Sequence, residues 1–140
     1  RSSAQGLNID FSLGYLEDAG RFEAQPFDLV FSRGCWNYAI SERGLARLLF
    51  SLVKPGGHGF VYTPVYTWVE STPVRKIQRW LYDSGVMRIG HPFPRRGVVK
   101  RLISESPVTI RDGSNDATDR IFFARAQERE RHQAQSSSSS

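Results

Sequence analysis

The chain has 140 residues, 39% of them apolar, and a formal net charge of +5, which bounds it to about one domain with its own core. No apolar run approaches the roughly 20 residues that a bilayer crossing needs, so no membrane partner is expected. A single cysteine, Cys35, excludes an internal disulfide and fits a reducing, cytoplasmic compartment. His58, His91 and His132 are too scattered for metal-ligand spacing, so no metal is expected.

Arginine supplies nearly all the positive charge, with lysine only at Lys54, Lys76 and Lys100. Arg75, Lys76, Arg79, Arg88, Arg95 and Arg96 form the set on which nucleic-acid binding or methylation would rest. The arginines are dispersed, however, and no block of like charge appears, so an arginine-rich composition is the preferred reading and nucleic acid is not the expected partner.

Leu7, Ile9, Phe11 and Leu13 alternate with polar residues, which predicts a strand with one buried face, ended by Gly14. Tyr15 to Gln25 reads as a loop carrying the acidic pair Glu17-Asp18. After Pro26, Phe27 to Phe31 is a second strand. Its consecutive Leu29, Val30 and Phe31 suit a parallel strand covered on both faces. Ser32 to Ile40 is then a loop at the strand's carboxyl end, where open α/β sheets bind ligands.

Ser41 is the expected N-cap of a helix whose stripe is Leu45, Leu48, Leu49, Leu52 and Val53, with Arg43, Arg47 and Ser51 opposite. Lys54 is placed to complement the dipole at the helix end, and Pro55-Gly56-Gly57 stops the helix. Phe60-Val61-Tyr62 is the next strand. The unit is a βαβ crossover, right-handed in nearly all cases.

Residues 67–94 read as an insertion lying over the strand ends. Thr72-Pro73 opens a helix there, with Val74, Ile77, Leu81 and Trp80 on its inner side and Arg75, Lys76 and Arg79 facing away. Val98, Val99, Leu102 and Ile103 mark a short helix. Val108 to Ile110 and Ile121 to Ala124 form an antiparallel hairpin around Asp112–Asp116. The last strand, apolar on both faces, is placed inside the sheet. Residues 127–140 are charged and then serine-only, a disordered polar tail by composition.

Phe27-Asp28-Leu29-Val30-Phe31-Ser32 resembles the fourth strand of the class I S-adenosylmethionine-dependent methyltransferases. Leu52-Val53-Lys54-Pro55-Gly56-Gly57 resembles the L-x-K-P-G-G turn before that family's fifth strand. Ile9 to Asp18 is similar to its third strand and the acidic loop that follows, and the closing hairpin to its sixth and seventh strands. The resemblance spans roughly residues 7–126. It implies an α/β fold with a Rossmann-like methyltransferase sheet that ends in an antiparallel hairpin. The family's G-x-G-x-G loop has no counterpart in the sequence. The expected sheet is therefore incomplete, lacking its first two strands, and 1–126 is read as a partial domain of a longer protein or of a two-chain one. The strand at Phe27 to Phe31 would then gain an open edge.

By the same resemblance, Ser32, Arg33 and Gly34 are candidates to run beside the methionyl part of S-adenosylmethionine, and Leu16 and Glu17 to face its adenine. Tyr15 stands where many members carry an acidic residue, and Glu17-Asp18 is equally well read as a solvated pair. Trp36, Tyr38, Tyr66 and Trp68 are candidates for the acceptor pocket, although Trp36 serves as well as a core aromatic. Asn37 is a candidate to orient an acceptor hydroxyl, and His91 is the candidate base. Cys35 has no neighbouring histidine and is read as packing rather than as a nucleophile. The expected function is methyl transfer to a small-molecule acceptor. The alternative is an inactive methyltransferase-like scaffold, since fold does not dictate function.

Overall fold

The computed structural model describes residues 13–67, 71–87 and 92–127. The strand expected at Leu7 to Leu13, the polar tail, Trp68 and His91 fall outside those residues, apart from Leu13 and Gln127. In chain order the described elements are a 3₁₀ helix at Leu16–Phe22, β1 (Phe27–Arg33), a 3₁₀ turn at Trp36–Tyr38, α1 (Glu42–Leu52), β2 (Val53–Pro64), α2 (Pro73–Asp83), α3 (Val98–Ser104), β3 (Val108–Asp112) and β4 (Thr118–Arg125). They build one sheet of order β1-β2-β4-β3. β1 and β2 are parallel, and the other two pairings are antiparallel. This is the α/β architecture that the sequence implies, with β4 inside the sheet.

The βαβ unit forms as its pattern dictates. Ser41 Oγ accepts from Gly44 N at 3.1 Å and starts α1. Leu45, Ala46, Leu49 and Leu52 are buried against the sheet, each leucine stabilising the fold by roughly 1.5–3 kcal/mol. α3 brings Val99, Leu102 and Ile103 to the same core, which also holds Val53, Val61, Ile121 and Phe123. Gly59 lies where Phe123 crosses it: a Cβ there would stand 2.1 Å from the ring.

The structure departs from the sequence reading at several points. Tyr15 to Gln25 is not a plain loop, because Asp18 closes a turn on Tyr15: its Oδ2 accepts from Tyr15 N at 2.8 Å, and its N–H donates to Tyr15 O at 3.1 Å. α1 ends at Leu52, before the Pro-Gly-Gly turn. β2 starts at Val53, already paired with Phe27, and Lys54 to Gly57 form a bulge before pairing resumes at Leu29 with His58. Gly56 turns this bulge with φ +78. Lys54 pairs with Asp28 rather than serving the helix dipole. Arg125 does that work instead, donating to Val53 O at 2.8 Å and Phe50 O at 3.4 Å.

β1 is covered on one face, not both. Among the described residues α1 and α3 lie on a single side of the sheet. Leu29 and Phe31 point to the other side and are 59% and 61% exposed. Phe31 stacks on Phe60 there, with centroids 5.3 Å apart, and Phe60 lies beside Phe122. Among the described strands β1 lies at one end of the sheet; the open edge that the sequence reading expects turns on residues outside those described.

α2 is rotated relative to its expected face. Val74, Ile77 and Trp80 are 73%, 60% and 67% exposed, whereas Arg79 is buried. The cause is electrostatic. Arg79 finds Asp83 at 2.9 Å and the Phe93 carbonyl at 3.2 Å on the inner side, so its charge is satisfied by charge-assisted bonds where it is buried.

Candidate functional site

β1 and β2 run parallel, so their carboxyl ends share one edge of the sheet. Gly34 N donates to Tyr62 O at 2.8 Å and carries the β1 end alongside β2. Gly34 has φ +67 and open space where a Cβ would stand. The chain then makes the 3₁₀ turn at Trp36–Tyr38. After β2, Tyr66 bridges to Arg95, and its N–H donates to Pro94 O at 2.8 Å. This fixes the Pro92–Arg95 strand of chain beside the β2 end. α2 is tied to the same strand through Arg79 and Phe93, and Asp83 accepts from Arg95 at 2.7 Å.

Between these pieces lies a cavity of about 320 Å³ lined by Asn37, Tyr38, Tyr66, Arg75, Gln78 and Phe93, within the range of small-molecule sites. Asn37 Oδ1 is buried there with no hydrogen-bond partner among the described residues. The Arg75 guanidinium lies 5.2 Å from the Phe93 ring centroid, and no carboxylate among the described residues pairs with it. A second cavity, of about 350 Å³, opens between the 3₁₀ helix and α1, with Leu16, Glu17, Ile40 and Leu48 in its wall.

The structure sorts the sequence candidates. Asn37, Tyr38 and Tyr66 converge on the first cavity. Trp36 does not join them: it is fully buried in the core, and its indole N–H donates to Glu42 Oε1 at 3.2 Å, so packing takes the ring that substrate stacking would need. Leu16 and Glu17 border the second cavity instead. Glu17 is also engaged structurally, since its Oε1 accepts from Ile40 N at 2.8 Å. Ser32 is buried, with its Oγ 3.0 Å from the Sγ of the half-buried Cys35. Arg33 lies 5.6 Å from the Tyr62 ring centroid. His58 sits midway along β2, away from its carboxyl end, against Phe122.

Of the basic set, Arg79 and Arg95 share Asp83, and Arg96 pairs with Asp116 at 2.7 Å. Asp83 is accordingly held below the usual carboxylate range: burial pushes it up, but the bonds from Arg79 and Arg95 outweigh that. Arg75, Gln78 and Phe93 are site residues that the apolar pattern of α2 hides. The i,i+4 spacing of Arg79 and Asp83 signals that the two can pair, but nothing in the local pattern says that this side turns inward.

Neither a family model nor a curated protein matches the sequence. Solved structures do resemble the fold. An O-methyltransferase family protein from Burkholderia thailandensis matches with a TM-score of 0.59 at 22% identity, over 84% of this chain and 36% of its own. The CurJ carbon methyltransferase matches with a TM-score of 0.51 at 16% identity, over 76% and 31%. Phosphoethanolamine N-methyltransferase 2 of Haemonchus contortus, in complex with S-adenosyl-L-methionine, matches with a TM-score of 0.50 at 13% identity, over 79% and 36%. This likeness shows a Rossmann-like α/β fold, of which a four-stranded sheet is described. The chain spans about a third of the length of these structures.

Proposed function

We propose that the chain is part of an S-adenosylmethionine-dependent methyltransferase acting on a small-molecule acceptor, within a longer or two-chain protein. The cavity of about 320 Å³ at the carboxyl ends of β1 and β2 carries the reading, because ligands of open α/β sheets bind at that edge. When bound, the cofactor supplies an activated methyl group on a sulfonium. The open backbone of Gly34, continuous with Ser32 and Arg33, fits its methionyl part, and Leu16 with Glu17 lines a cavity of the size its adenine needs. The chain's own work is positional: α2 and Phe93 form one side of the acceptor cavity, and Tyr38 and Tyr66 bound the other. On this proposal, strands supplied by the rest of that longer or two-chain protein would cover the β1 edge and complete the cofactor site.

Calorimetric titration of S-adenosylmethionine tests this, into the chain alone and into the chain extended by its upstream coding sequence. The extended protein should bind at micromolar concentration and the chain alone weakly or not at all. No binding by either sinks the proposal. The exposed Leu29, Phe31 and Phe122 on one sheet face favour a second reading, an inactive scaffold that binds another chain there. That reading takes over if the extended protein folds but ignores the cofactor.

A further inference from the structure

The cavity's lining is chemically lopsided. Its aromatic walls are Tyr38, Tyr66 and Phe93, and among the described residues its one charge is the guanidinium of Arg75. Among the described residues the lining holds no carboxylate and Arg75 has no ion-pair partner, although Arg79, Arg95 and Arg96 close by all have one. Its side chain is laid over Phe93, with 5.2 Å to the centroid. That contact limits its rotamers while leaving the N–H groups of the fork for a ligand. Asn37 belongs to the same lining, and its Oδ1, closed off from solvent, has no hydrogen-bond partner among the described residues, so a ligand donor reaches it once the amide turns toward the cavity. Such a group costs about 1–3 kcal/mol when left unsatisfied, so a ligand that brings a donor recovers that cost.

We infer that this cavity takes a small aromatic carboxylate bearing a hydroxyl or amino donor. The Arg75 fork holds the carboxylate, and Asn37 Oδ1 receives the donor. A planar fork matches a carboxylate in two parallel bonds. One guanidinium balances one negative charge, whereas a phosphate calls for more cations than this lining has. The ring of the ligand fills the space between the tyrosines and Phe93. That this ligand is the methyl acceptor rests on the function proposed above; its binding does not.

The test titrates the full chain, without cofactor, with 4-hydroxybenzoate, benzoate, 4-hydroxybenzyl alcohol and inorganic phosphate, followed by NMR. The hydroxy acid should bind about tenfold or more tighter than the alcohol, the effect of one charged hydrogen-bonded pair. Arg75→Gln should abolish that preference, and Arg75→Lys should retain part of it. Asn37→Ala should remove the advantage of 4-hydroxybenzoate over benzoate. Equal binding of acid and alcohol, an unchanged Arg75→Gln variant, phosphate matching the aryl acid, or no binding of any probe would each overturn the inference. Arg75 is exposed, so its variants should keep the native circular dichroism, and they decide the matter if Asn37→Ala does not fold. A chain that binds the aryl acid while the extended protein never binds S-adenosylmethionine would sink the methyl-transfer reading alone.

Discussion

Arg79 and Asp83, one helical turn apart on α2, form a 2.9 Å ion pair that turns the charged side of the helix inward. The same guanidinium reaches the Phe93 carbonyl, and the same carboxylate receives Arg95. These bonds anchor α2 to Pro92–Arg95 across the cavity. Asp83→Asn should therefore loosen α2 without unfolding the sheet, at a local cost of about 2 kcal/mol, between the surface and buried limits for ion pairs. Faster amide exchange in α2, with β2 and β4 unchanged, is the expected result. Asp83 has its folded pKa below 3.8, so its contribution is present above that value and is lost as pH falls through the lowered one. α2 should open in acid before the sheet does.

This helix also marks where the sequence stops being legible. α1 could be read from its leucines because the sheet beside it is apolar, and a 3.6-residue stripe then has one place to go. The hairpin of β3 and β4 and the parallel pairing of β1 and β2 followed equally from local pattern. α2 has an apolar stripe too, yet its partners are a carboxylate and a carbonyl brought in from Phe93 and Arg95, which periodicity does not register. The site divides along the same line. Asn37, Tyr38 and Tyr66 follow the ends of parallel strands and could be placed by topology. Arg75 and Gln78 depended on the rotation of α2, and the fate of Trp36 depended on Glu42.

Asp119 on β4 is buried, and it receives the Gly97 N–H at 3.2 Å where the chain enters α3. Burial pushes its carboxyl above 3.8, against the pull of that hydrogen bond. The folded state therefore holds the proton more firmly than the unfolded state, and the group's contribution to stability declines as pH rises from 3.8 through the raised value. Asp119→Asn keeps an acceptor for Gly97 and removes the charge, so urea midpoints should become flatter across that window, with no loss at neutral pH. Asp119→Ala leaves Gly97 N–H unsatisfied and should cost about 1–3 kcal/mol.

Glu17 joins the 3₁₀ helix to the loop before α1 through Ile40 N. Glu17→Gln retains an acceptor at that point and should be nearly neutral in thermal melts. Glu17→Ala should lose about 1 kcal/mol. If the carboxylate charge mattered to the fold, the glutamine variant would fall as far as the alanine one.

Gly59 tolerates no side chain, because the Phe123 ring lies 2.1 Å from the site of a Cβ and is itself closed in by the core. Gly59→Ala must displace the ring or part β2 from β4, which should cost about 3 kcal/mol and lower Tm by roughly 10 °C or more. A melt within about 2 °C of the native one, outside the range expected for such overpacking, would show that Phe123 has room to move.

β1 tests the open edge that the sequence reading expects. Leu29 and Phe31 are exposed on the uncovered face, while Val30 packs against the core on the other. An unpaired apolar strand edge templates pairing with another copy. Leu29→Lys should therefore reduce aggregation, read by light scattering at rising concentration, and should change the urea midpoint by no more than about 0.5 kcal/mol. Val30→Lys buries a charge against α1 and should unfold the chain rather than solubilise it. If Leu29→Lys instead destabilised as much as Val30→Lys, that face of β1 would have to be covered in solution. Scattering that stays equal to the native chain's, at unchanged stability, would place self-association on another surface, with the exposed Val74, Ile77 and Trp80 of α2 the next to alter.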